Sequence, residues 1–251
     1  MSRNQDILKE YKEKRIGEKS YNNFGSEMII IEYRNKNNID ILFPKYNYIK
    51  KHIKYSNFKN GLIKCPYEPR VFGVGYDGEG EIEKESYKTW KGMLERCYSP
   101  YYINEHLTYI DCFACKKWHN YQNYKIWHKE NYYKIKNQTM CLDKDILIKG
   151  NKIYSPQTCI FVPQNINKLF VSNKSQRGKY PIGVCTNKTK PNKYFSMVNK
   201  KEENFKDVHN TFLWYKINKE LYIESIANEY KKFIPNKLYF AMINYKIEID
   251  D

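Results

Sequence analysis

The chain has 251 residues, and its 44 Lys and Arg outnumber 28 Asp and Glu to leave a net charge of +16. No run of apolar residues approaches the roughly 20 needed to span a membrane. The N-terminus, MSRNQDILKEYKEKR, lacks an apolar signal core, so the expected location is cytoplasmic. Seven cysteines is an odd count, and with the reducing context expected it argues against a disulfide framework.

An excess of positive charge favours a polyanionic partner, most simply double-stranded DNA or another nucleic acid. Codon bias toward Lys, Asn, Ile and Tyr, visible in the 25 tyrosines, produces part of the same excess. The length allows two or three small domains and a real core.

Residues 1–20 are charged and read as a helix or a loose arm. The runs 28–33 (MIIIEY) and 39–43 (IDILF) flank Asn35-Lys36-Asn37-Asn38, which predicts a β-hairpin. Tyr55-Ser56-Asn57-Phe58 and a further turn extend it into a β-rich module. Residues 66–80 are linker-like. Gly73-Val74-Gly75-Tyr76-Asp77-Gly78 matches a dinucleotide fingerprint in letters only, because no helix opens directly after it.

Over 86–97, Tyr87, Trp90, Leu94 and Cys97 recur at helical spacing, and Tyr98-Ser99-Pro100 ends the run. Asn120 caps a second helix, in which Tyr121, Tyr124, Trp127 and Asn131 recur. These two helices are the expected platform for the block that follows them. Cys112-Phe113-Ala114-Cys115 is half of a zinc site. With Cys97 and Cys159 it makes a candidate structural Zn²⁺ set; buried inert thiols are the alternative.

Residues 140–170 read as strand, loop, strand and helix. Asp143 ends the first strand, and Asn167 falls in the polar segment after the second. A carboxylate and a carboxamide are oxygen ligands suited to a hard cation, Mg²⁺ or Mn²⁺. Residues 180–185, 194–198 and 204–208 read as three strands, and a helix begins near Asn210-Thr211 and runs to Tyr230. The tail predicts a short helix and an acidic end.

The 140–170 block resembles the phage and homing-type HNH (ββα-metal) nucleases, and Trp90-x-x-Met93-Leu94-x-Arg96-Cys97-Tyr98 is similar to the segment preceding that block in them. The resemblance implies Asp143 and Asn167 as metal ligands and Thr158 as the brace of the loop. It places Lys144 where the family has its catalytic histidine, a departure that removes the usual base; Lys144 itself, its pKa lowered by the adjacent cation, or a water positioned by Asp145 would then do the base's work. The 178–230 region resembles the AP2-type DNA-binding domain, with Arg177, Lys179, Lys188, Lys190 and Lys193 as the implied DNA contacts.

The expected fold is therefore α+β. It comprises a small N-terminal β module with linker (1–80), a central HNH-like domain with packing helices (81–172) and a C-terminal three-stranded sheet plus helix (178–251). The expected function is a metal-dependent DNA endonuclease, homing or nicking. The alternative is a DNA- or protein-binding module on the same fold without cleavage, such as a phage regulator or an inhibitor of host defence.

Overall fold

The computed structural model describes residues 14–171, 179–186 and 193–251. The chain is mixed α+β and divides into two compact units, residues 1–129 and 130–251. The sequence-based boundaries fall instead near 80 and within 172–178, the latter outside the described residues. Among the described residues no helix is long and apolar enough to cross a membrane.

The first unit opens with an antiparallel sheet of β1 (Lys19–Tyr21), β2 (Glu27–Asn35), β3 (Asn38–Phe43) and β4 (Tyr48–Ile53), in that order. The β2–β3 hairpin turns where Asn35-Lys36-Asn37-Asn38 predicts it, with Asn35 paired to Asn38. Met28, Ile30, Ile39, Ile41 and Phe43 bury one core with Phe58 and Ile63. The segment expected to extend the β module is instead the short helix α1 (Tyr55–Lys59), which places Phe58 in that core.

Residues 66–80 are packed down and are not a free linker. A Cβ on Gly75 would lie 2.4 Å from Leu94 and 3.0 Å from Trp90, so only glycine allows this close approach. Arg70 pairs with Asp77 at 2.6 Å, and the Tyr87 hydroxyl donates to the same carboxylate at 3.0 Å.

Helix α2 (Lys84–Tyr98) buries Trp90, Met93, Leu94 and Cys97, the predicted face. Ser99 then caps α3 (Pro100–Glu105). After the short strand β5 (Phe113–Ala114), Asn120 Oδ1 accepts from Gln122 N at the start of α4 (Tyr121–Asn131). Tyr121, Tyr124 and Trp127 are buried on α4, and the Trp90 indole N–H donates to the Trp118 carbonyl at 2.7 Å.

In the second unit β6 (Met140–Asp143) pairs antiparallel with β8 (Ile160–Pro163), from Met140 opposite Pro163 to Asp143 opposite Ile160. Between them lies β7 (Ile153–Tyr154), and the one-turn helix α5 (Gln164–Asn167) follows. Strands β9 (Cys185–Thr186), β10 (Tyr194–Val198) and β11 (Lys201–Phe205) form an antiparallel sheet in the order β11-β10-β9. Helices α6 (Val208–Tyr230) and α7 (Asn236–Ile243) complete the unit.

Two strand expectations shift here. Residues 180–184 form a turn, because Gly183 sits at φ +77° and the Tyr215 ring lies 2.0 Å from where its Cβ would be. The third strand starts early, at Lys201, because Asn199 and Lys200 both take positive φ and close a two-residue hairpin turn.

The platform of the 140–170 block also differs from expectation. Ile146, Ile160, Val162 and Ile166 share their core with Ile223 and Ala227 of α6 and with Ile234, Leu238 and Met242 in and around α7. The expected platform was the pair of helices now seen as α2 and α4. Their aromatic stripes are instead spent inside the core of the first unit, around Trp118.

Two predictions follow from these packings. Asp40 is buried and accepts both Arg34 nitrogens, at 2.9 and 3.0 Å, and the His52 amide at 3.0 Å. The Arg34 guanidinium, first among the causes, pulls its carboxyl down to about 2. Depression means the contribution is full above the unfolded carboxyl range and is lost as pH falls toward 2. Urea unfolding of Asp40→Asn should show a deficit against wild type at pH 5 that shrinks toward pH 2. Gly183→Ala should cost about 1–3 kcal/mol in the same assay at pH 7, by overpacking and left-handed strain.

Candidate functional site

The loop between β6 and β7 is built by three polar side chains. Asp143 Oδ1 accepts the backbone N–H of Asp145 at 2.9 Å and of Ile146 at 2.7 Å, closing an Asx turn on itself. Ile146 then enters the core, which holds the loop down. Burial, and next the adjacent Asp145 charge, push the Asp143 carboxyl up to about 6. The carboxylate is thus short of positive charge.

Lys144 is buried. Its ammonium pairs with Asp145 Oδ2 at 2.8 Å and donates to the Asn151 carbonyl at 3.0 Å. In this state it has only protons to give and no lone pair to accept one. Asp145 keeps 46% of its side-chain surface exposed.

Asn151 is the residue that sequence reasoning passed over. Its amide nitrogen donates to the carbonyls of Lys144 (2.7 Å) and Ile153 (2.8 Å), and its Oδ1 accepts from Ile153 N at 3.2 Å. The signal was present as an Asn directly after Gly150, which takes φ +76°. Thr158 closes the far side. Its hydroxyl donates to the Ile153 carbonyl at 2.6 Å and contacts Ser155 Oγ at 2.9 Å.

Asn167 ends α5, half-buried, and its side chain makes no hydrogen bond with the described residues. The helix starts beside Met140, where Gln164 N donates to the Thr139 carbonyl at 2.8 Å. That is the opposite end of the strand pair from Asp143. Asp143 and Asn167 therefore belong to one block without touching, and a shared ion would have to bridge them.

Among the described residues no three His, Cys, Asp or Glu side chains converge on a place that could hold a metal ion. The four cysteines of the zinc expectation, Cys97, Cys112, Cys115 and Cys159, form no such group among the described residues. Cys97 faces the core on α2, and Cys112 Sγ lies 3.9 Å from the Thr108 carbonyl. Asp143 and Asn167 are oxygen donors of the type a hard cation takes.

Of the implied DNA contacts, Arg177, Lys188 and Lys190 lie outside the described residues. Lys179 and Lys193 are exposed, and the Lys179 ammonium sits 5.5 Å from the centre of the Tyr180 ring. In β10, Ser196 and Val198 are buried while Met197 is 58% exposed. The outward face therefore carries Phe195 and Met197, with Asn204 and Glu202 opposite them on β11. Among the described strand residues, that face holds no Lys or Arg.

No known protein family matches the sequence, and no curated protein or solved structure matches it.

Asn151→Ala removes three hydrogen bonds that hold the loop. It should lower stability by about 1–3 kcal/mol in urea unfolding. Amide exchange at Asp145 and Ile146 should also accelerate relative to the β10–β11 hairpin.

Proposed function

We propose that the chain is a metal-dependent endonuclease of the HNH-like kind that nicks double-stranded DNA in the cytoplasm, with an AP2-like sheet and helix as its DNA-binding part. The observation that carries this reading is Asp143. It is an oxygen donor at the end of the first strand of a strand–loop–strand–helix block, fixed by its own turn and lacking positive charge. Asn167, with an unengaged carboxamide, is its partner ligand. A bound Mg²⁺ or Mn²⁺ would supply charge stabilisation to the scissile phosphate.

Within the loop, Lys144 is a fixed positive charge and not the base. Asp145, exposed and accepting only on Oδ2 from Lys144, takes the proton of the attacking water. Asn151 and Thr158 position the loop. The surplus of lysine supports phosphate contacts, which set affinity and its salt dependence.

Lys144 also favours a second reading, a DNA-binding module of the same fold without cleavage. The ion pair with Asp145 replaces the histidine that the family uses for its chemistry.

A supercoiled-plasmid assay with Mg²⁺ or Mn²⁺ separates the two. Nicking by wild type should fall at least about a hundredfold in Asp143→Ala, the scale expected for losing a metal ligand. DNA affinity should change less than about twofold, as phosphate contacts dominate it. No nicking with either ion, together with salt-dependent DNA binding, would replace the nuclease reading by the second. Flat salt dependence would remove both.

A further inference from the structure

Helix α6 buries a stripe at Phe212, Tyr215, Ile223, Ala227 and Tyr230. Lys219 stands on that stripe, four residues from both Tyr215 and Ile223. Its ammonium makes no hydrogen bond or ion pair with any described residue. The nearest acid along the helix, Glu220, is engaged elsewhere, with Lys216 at 2.9 Å and the Ile247 amide at 2.9 Å. Burial lowers the Lys219 pKa, with no carboxylate offsetting it.

Lys219 lines a cavity of about 250 Å³ whose apolar wall includes Phe170, Ile182, Tyr215 and Tyr245. Two carboxylates also line it, Asp145 and Asp251. Each has its own lysine, Lys144 at 2.8 Å and Lys149 at 2.5 Å. Lys219 is therefore the one uncompensated charge on the wall among the described residues. An apolar cavity of about 150 Å³ already accepts a benzene ring, so this one has room for a ring and a short charged arm. The two resident carboxylates disfavour a dianion such as a phosphate monoester.

We propose that this cavity binds a small monoanionic carboxylate carrying one aromatic or similarly sized apolar body, with Lys219 as its counter-charge. Asp145 lines both this cavity and the proposed nuclease loop, but Lys219 has no role in the nuclease reading, and ligand binding is read without DNA or metal. A half-buried lysine that pairs with no described acid is a cost that an apolar residue at the same position would avoid.

The test is calorimetric titration of the full chain with 3-phenylpropionate and with its neutral amide, 3-phenylpropionamide. The acid should bind in the millimolar range or tighter, and the amide about tenfold or more weakly, because a charge-assisted contact is lost. Lys219→Met should fold and raise the melting temperature, since an uncompensated charge is removed. It should also abolish the preference for acid over amide. Equal binding of acid and amide to wild type would overturn the proposal. So would binding by neither up to about 10 mM, or an acid preference retained in Lys219→Met.

Discussion

The second unit depends on one element, helix α6. Its 23 residues extend about 35 Å, enough to serve two cores in succession. Phe212 and Tyr215, near its start, pack with Val184 and Ile247 under the small sheet. Ile223, Ala227 and Tyr230, two turns on, pack against the hairpin block that carries Asp143. Asp207 fixes the start, accepting the Asn210 N–H at 2.8 Å. The C-terminal tail is tied to the helix through Glu220 to the Ile247 amide, and to the 143–151 loop through Lys149 to Asp251. The sheet and the hairpin block therefore share a single rigid support, and a change in α6 reaches both. Lys219 falls between the helix residues of the two cores, Tyr215 on one side and Ile223 on the other.

The electrostatics of the 143–151 loop follow from how few charges it holds and how close they are. Lys144 satisfies Asp145 and a carbonyl, which leaves Asp143 with two backbone N–H groups and no cation. Burial, and next the Asp145 charge two residues away, hold the Asp143 carboxyl toward its neutral form. An unpaired carboxylate of this kind destabilises the fold near neutrality unless something positive joins it. Under the proposed function the divalent ion is that partner.

Much of this was legible in the residues. The Trp90, Leu94 and Cys97 spacing gave α2, and Asn120 gave the start of α4, because amphipathic periods and caps are local signals. The strand–loop–strand–helix order of 140–167 was equally readable from apolar runs and turn residues. What escaped was set by contacts distant in sequence. Residues 180–184 look like a strand by composition, yet the Tyr215 ring presses against Gly183 and forces a turn. The glycines of 73–80 look like a linker, yet Gly75 is a glycine because Trp90 and Leu94 lie against it. The aromatic stripes of α2 and α4 announce a core without naming which one. The cysteine pair at 112 and 115 announces thiols without placing a third ligand beside them.

The distribution of charge bears on what kind of DNA contact the proposed function can use. Sequence is read by side chains that reach base edges, whereas lysines on phosphates fix affinity and register. The outward face of the β9–β11 sheet offers Phe195, Met197, Asn204 and Glu202, and a carboxylate there opposes close approach to a phosphate backbone. Lysines at the sheet margins, Lys179, Lys193 and Lys200, are exposed and fit the phosphate role. A protein that grips DNA chiefly by such margins gains affinity with little base discrimination. The net charge of +16 and the apolar-to-acidic sheet face are then two parts of one design, in which affinity is electrostatic and selectivity arises outside this sheet face.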